Sequence, residues 1–208
     1  MNYPFRNAIL DLLRTRDTAF FVSVLTELYA SYPREVCDSL MNLLGTHDTV
    51  RILTALGDDD SHEEEPNAAL AKRRLSPDDR ETAIRLLLIA STLQFTVFGF
   101  PSVYYGDEAG MEGYRDPFCR LPFPWGRENQ TLLNHYRRLG ALRKKHPALR
   151  DGDFRFLEVR PAAFLLERKK GTDRVLVAVN LQDTPASFAL SSPRRMLTVK
   201  QISAAVVE

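Results

Sequence analysis

Residues 41–54 read MNLLGTHDTVRILT. The apolar run Met41 to Leu44 has the length and composition of a short buried strand, and Gly45 and Thr46 end it. Thr49 to Leu56 then takes up helical spacing. His47 and Asp48 therefore stand in the turn after a buried strand. Successive strand residues point to opposite faces, but in a turn at the strand end both side chains can reach one mouth. A second unit of the same kind follows. SVYY (102–105) reads as another short buried strand, and GDEAGMEGYRDPFCRLPFPWGR (106–127) as a long Gly/Pro-rich loop. Loops of that length inside a compact domain are commonly functional.

The surrounding chain alternates in the same way. Residues 1–3 read as the end of a strand. Pro4 then opens a helix with Phe5, Ile9, Leu12 and Leu13 on one face. Asp17 caps a second helix carrying Phe20, Phe21, Val24, Leu25 and Leu28, and Pro33 begins a short one ending near Leu40. GDDDSHEEEP (57–66) is acidic and poor in apolar residues, so it reads as a surface loop with His62 solvated. Ser76-Pro77-Asp78-Asp79 is a helix start, with a capping serine and acids at the positive helix end. That helix runs to about Phe95 and is apolar nearly all round from Ile84 to Leu93, which predicts deep burial. Glu128 to His146 is a further helix, ended by Pro147.

Alternating strands and helices imply parallel strands with crossover helices. The fold class is therefore α/β: about the last three β/α units of a TIM (β/α)8 barrel over residues 1–150, with functional groups at the C-terminal strand ends. After Asp151 the texture changes. Segments near 154–159, 163–169, 174–180, 186–190 and 196–200 are short and β-rich, with turn signals such as Lys170-Gly171-Thr172-Asp173 between them. Residues 151–208 read as a small antiparallel β-sandwich domain, with the boundary near 150.

The chain has 208 residues, 44% hydrophobic and 26% charged, the proportions of an ordinary globular protein. A net charge of +1 gives no overall field toward nucleic acid or a membrane surface. Arg137, Arg138, Arg143, Lys144, Lys145 and Arg150 cluster in a helical pattern and read as a solvated face. Cys37 and Cys119 form no CxxC pair and read as free thiols of a reducing compartment, hence a cytoplasmic protein. MNYPFRNAIL lacks the pattern of a signal peptide, and no apolar run is long enough to span a bilayer.

Alone, a His-Asp dipeptide is as compatible with capping and ordinary hydrogen bonding as with catalysis. Trp125 and Tyr114 are suited to ordinary loop packing, Arg51 to pairing with a local carboxylate, and Asp107 and Glu108 to a structural role. Gly106, Gly110 and Gly113 are not followed by Lys-Ser/Thr, so they do not form a phosphate loop. No HxxxH or comparable spacing calls for a metal.

MNLLGTHDTVRILT and SVYYGDEAGMEGYRDPFCRLPFPWG, in that order, resemble the α-amylase superfamily of glycoside hydrolases, in its neopullulanase, cyclomaltodextrinase and maltogenic amylase branch. MNYPFR resembles that branch's sixth barrel strand. The resemblance implies a retaining enzyme acting on α-1,4-glucosidic bonds of maltodextrin, cyclodextrin or pullulan, with no cofactor and no metal. It implies that Asp48 is the carboxylate stabilising the oxocarbenium-like transition state. It also implies that His47, Asp116 and Arg120 bind sugar hydroxyls. A carboxylate that only accepts and a guanidinium with five donors are complementary tools for a polyol.

Retaining chemistry needs a nucleophile and an acid/base carboxylate. The resemblance implies that these lie on barrel strands four and five, and nothing in this chain matches those strands. The sequence reads as the C-terminal part of a larger enzyme, inactive by itself and marginal or aggregating unless the remaining barrel segment partners it. The other reading is a glucan-binding or partner-binding protein without catalysis.

Overall fold

The computed structural model describes every residue except 59–61, 63, 192 and 193, and only the backbone of Ser191 and Arg194. The acidic stretch read as a surface loop therefore lies partly outside the described residues.

The expected strand at residues 1–3 is not formed. Helix α1 spans Tyr3–Thr15, and the Asn2 side chain caps it by accepting from Phe5 N at 3.2 Å. Proline in the first turn suits that geometry, so helix replaces strand here. Only one ladder-like bond remains, Asn2 N to Met41 O at 2.8 Å. Helix α2 (Thr18–Ala30) is capped by Asp17, and α3 covers Arg34–Asp38.

Strand β1 (Met41–Leu43) leads through a turn into α4 (Ile52–Gly57) and α5 (Asn67–Leu70). The long α6 (Pro77–Thr96) is capped by Ser76 Oγ, which accepts from Asp79 N at 3.1 Å. Its burial on all sides begins at Ile89 rather than Ile84, because Arg85 stays exposed and Ile84, Leu86 and Leu88 are half-buried. Strand β2 is Phe100–Ser102, two residues earlier than SVYY. It runs parallel to β1, pairing Met41 with Phe100 and Leu43 with Ser102. The buried Gln94 side chain donates to Asn42 O and Ser102 O, each at 3.0 Å, tying both strands to the crossover helix. Two parallel strands joined through helices are the repeating unit of a (β/α)8 barrel.

Helices α7 (Gln130–Lys145) and α8 (Ala148–Asp151) follow the long loop. Arg143 does not belong to a solvated face. It is half-buried and donates to Phe95 O, Gly99 O and Leu149 O at 2.6–3.0 Å.

Strands β3 (Asp153–Arg160), β4 (Ala163–Lys170), β5 (Asp173–Asn180), β6 (Ala186–Ser191), β7 (Arg194–Val199) and β8 (Ser203–Val207) are antiparallel. They form a sheet ordered β3-β4-β5-β8 and a β6-β7 hairpin. Period-two alternation divides the central strands. Ala163, Leu165, Leu176 and Ala178 face the hairpin's Ala186, Phe188, Leu190 and Val199. Phe164, Leu166, Val175, Val177 and Val179 face the other way, into one core with Phe5, Ile9, Phe21, Leu87 and Leu93 from the helices. Arg168 fixes the same junction: fully buried, it donates to Thr96 O, Val97 O and Gly152 O at 2.8–2.9 Å. Among the described residues no helix is long and apolar enough to cross a membrane.

Candidate active site

The C-terminal ends of β1 and β2 both release loops, and the loops meet. After β1, Leu44, Gly45 and Thr46 stay buried while His47 and Asp48 emerge exposed. Thr46 Oγ1 accepts from Asp48 N at 3.2 Å, a local bond that shapes the turn. His47 Nε2 lies 3.1 Å from Asp48 Oδ1.

The loop after β2 brings Asp116 and Arg120 to the same place. A single 3-10 turn, Phe118–Arg120, sets them four residues apart, and Arg120 Nε lies 2.7 Å from Asp116 Oδ1. Arg120 Nε also donates to His47 O at 3.1 Å, and Nη2 lies 3.6 Å from Asp48 Oδ1. All four side chains marked out in the sequence therefore share one cluster. Each is about half exposed, so the cluster is open to a solute. Its polar groups alternate in sign: two carboxylates, a guanidinium between them, and an imidazole at the edge.

A buried layer supports this surface. Arg51 and Asp107, 0% and 2% exposed, lie 3.4 Å apart. Arg51 Nη1 also donates to Tyr105 O, and its guanidinium sits 4.4 Å and 4.6 Å from the Tyr104 and Tyr105 ring centres. Its backbone N donates to Gly113 O at 2.9 Å, while Gly113 N donates to Thr54 Oγ1 at 2.9 Å. The 44–54 segment is thereby clamped to the 104–113 loop. Burial pushes the Asp107 carboxyl up to about 7, against the opposing pull of Arg51. Gly45 is required beside it, since a Cβ there would collide with Asp107 Oδ2. Glu108 accepts from Gly106 N at 2.8 Å and so stabilises its own turn.

Tyr114 is buried as expected of loop packing, its hydroxyl donating to Asp58 Oδ2 at 2.7 Å; burial, then Asp58, push it up to about 12. His62 departs from the solvated reading. Its ring is 8% exposed, lies 3.0 Å from Asp58 Oδ2 and 2.8 Å from Glu65 Oε1, and meets the Tyr114 ring edge-on. Trp125 also departs from expectation: it is 81% exposed rather than packed. Both cysteines are free and buried. Cys119 Sγ donates to His47 O at 3.2 Å, a supporting contact between residues 72 apart that no local pattern signals. Among the described residues no group of three or more His, Cys, Asp or Glu is placed to hold a metal ion.

No protein-family model matches the chain. Its sequence is 38% identical to an amylopullulanase of Thermoanaerobacter thermohydrosulfuricus over 76% of this chain, and 36% identical to a cyclomaltodextrinase of a Bacillus species over 86%. Those matches span 11% and 29% of the two relatives' lengths. Its fold superposes on a cyclic α-maltosyl-(1→6)-maltose hydrolase from Arthrobacter globiformis with a TM-score of 0.82 at 27% identity, over 100% of this chain and 43% of that one. The chain belongs to the α-amylase superfamily of glycoside hydrolases. Within it, the relatives place the sequence in the neopullulanase, cyclomaltodextrinase and maltogenic amylase branch.

Proposed function

We propose that the chain supplies one wall of a retaining α-glucan hydrolase site acting on α-1,4-glucosidic bonds of maltodextrin, cyclodextrin or pullulan. The observation that carries this reading is the convergence of Arg120 on Asp116, Asp48 and the His47 carbonyl at 2.7–3.6 Å. On this reading Asp48 faces the scissile sugar and stabilises the positive charge that develops as the bond breaks. His47 bonds a hydroxyl of the same sugar, and Asp116 and Arg120 hold the neighbouring unit.

A retaining cycle also needs a nucleophilic carboxylate and a proton donor about 5 Å apart. In this reading neither comes from residues 1–208. They come from the rest of the barrel, which docks on the β1-β2 sheet. Residues 1–150 belong to that barrel and 151–208 to a C-terminal all-β domain that shares a core with its helices. Two free thiols fit a reducing compartment, and we place the protein in the cytoplasm on that ground.

The purified 208-residue chain is therefore expected to bind maltotriose without hydrolysing it or an activated α-glucoside. Calorimetry and a product assay test this together. Turnover that Asp48→Ala abolishes would refute the division of labour. Absence of any binding would refute the assignment of His47, Asp116 and Arg120. A purely glucan-binding protein is the second reading, favoured by a half-exposed cluster that is already paired; it predicts that supplying the remaining barrel restores no hydrolysis.

A further inference from the structure

The loop that carries Arg120 continues into Leu121-Pro122-Phe123-Pro124-Trp125-Gly126. Trp125 is the most exposed large apolar side chain among the described residues. It is also the chain's one tryptophan. Exposing an indole forfeits the burial free energy that normally draws such a ring inward. A lax loop would let it fold back, but this loop is fixed. Tyr105 Oη donates to Leu121 O at 2.9 Å, anchoring the segment to the end of β2. Pro122 and Pro124 lock two of its φ angles. Trp125 N donates to Phe123 O at 3.0 Å and Arg127 N to Pro124 O at 2.9 Å. The Phe123 ring lies 4.6 Å from the indole at 53°, supporting it from one side.

We infer that Trp125, supported by Phe123, is a stacking platform that extends the glucan site beyond Asp116 and Arg120 and favours longer chains. The inference rests on the α-glucan reading above. Trp125 lies five positions after Arg120, at most about 18 Å of chain, within reach of a short oligosaccharide held at Arg120. Glucose presents hydroxyls at its rim and C–H groups on its faces. The hydroxyls suit Asp116 and Arg120, and the C–H face suits an indole. Beyond the Phe123–Trp125 pair the chain turns to exposed Gly126 and Arg127, and a two-ring face of this size suits a sugar ring.

Having a single tryptophan makes the test direct. Emission of the 208-residue chain is followed while maltose, maltotriose and maltoheptaose are titrated, with calorimetry in parallel. Emission is expected to shift with maltoheptaose, and affinity to rise with chain length. Trp125→Ala should weaken maltoheptaose binding about tenfold, leave maltose binding unchanged, and be largely rescued in Trp125→Phe. Calorimetric binding that Arg120→Ala weakens, with silent emission and no effect of Trp125→Ala, overturns the platform and leaves the α-glucan reading standing. Neither heat nor emission change overturns both. A blue shift that follows protein concentration rather than sugar overturns the platform and assigns the ring to a protein contact.

Discussion

Arg51 and Asp107, 56 residues apart in sequence, face each other at 3.4 Å with both side chains buried. Asp107 also lies against Gly45, in the turn that leads to His47 and Asp48, and its protonation is linked to folding. In an unfolded chain the Asp107 carboxyl titrates near 3.8; in the fold, burial pushes it up to about 7 although Arg51 opposes the shift. The folded state therefore holds this proton more tightly. The associated stability is fully present below about pH 4 and is lost as pH rises to about 7. Asp107→Asn should remove that slope, so melting curves from pH 4 to 8 should favour the variant progressively as pH rises. A wild-type–variant difference that is constant with pH would contradict this.

Gly45 and Gly140 should respond oppositely to alanine. At Gly45 the new methyl meets the buried Asp107 carboxylate, and overpacking of this kind costs about 2 kcal/mol. Gly140 lies inside α7, and a methyl added there would meet nothing within 4 Å, so Gly140→Ala should stabilise by about 0.5–1 kcal/mol through helix propensity. Chemical denaturation of the two variants measures both signs.

Arg120 should matter to ligand and little to fold. It pairs with Asp116 at a half-exposed surface, where such pairs contribute at most about 1 kcal/mol. Arg120→Ala should leave the melting temperature nearly unchanged while lowering maltotriose affinity about tenfold in calorimetry. Arg120→Lys should not rescue it, because an ammonium lacks the planar group that puts Nε at Asp116 and the His47 carbonyl and Nη2 toward Asp48. Equal losses of stability and binding would mean that Arg120 is structural.

Strand β2 pairs only with β1 among the described residues, and Phe100, Val103 and Tyr105 stand about 40% exposed along and just beyond it. Unpaired edges beside apolar side chains promote association. The purified chain is expected to self-associate, and sedimentation at rising concentration should show it. A monodisperse monomer at high concentration would count against an open barrel edge.

The turn after β1 is legible in the sequence because its signals are local: a strand-length apolar run, then glycine, threonine and two polar residues. Asp116 and Arg120 are legible through the resemblance, and their four-residue spacing suits a single helical turn. Their meeting with His47 is not, since it depends on a bond across 73 residues. Strand β2 lies earlier than the pattern suggests because Pro101 reads as a breaker. Within the sheet Pro101 nevertheless pairs with Asn42 of β1. Strand β8 is hidden from a local reading because Ser203-Ala204-Ala205 carries little β signal; pairing with β5 supplies what propensity lacks. Trp125 defies its expected packing for a general reason: large aromatics belong inside by default, and only the surrounding backbone bonds show one held outside.

Arg168 has a consequence for how the molecule comes apart. Its guanidinium, pulled down to about 10 by burial yet still charged at neutral pH, is held by carbonyls at the end of α6 and just before β3. Peeling the sheet from the helices would strip Thr96 O and Val97 O of their donor and leave the guanidinium one carbonyl, Gly152 O. A protease cut near residue 150 should therefore yield two peptides that stay associated, released only by denaturant.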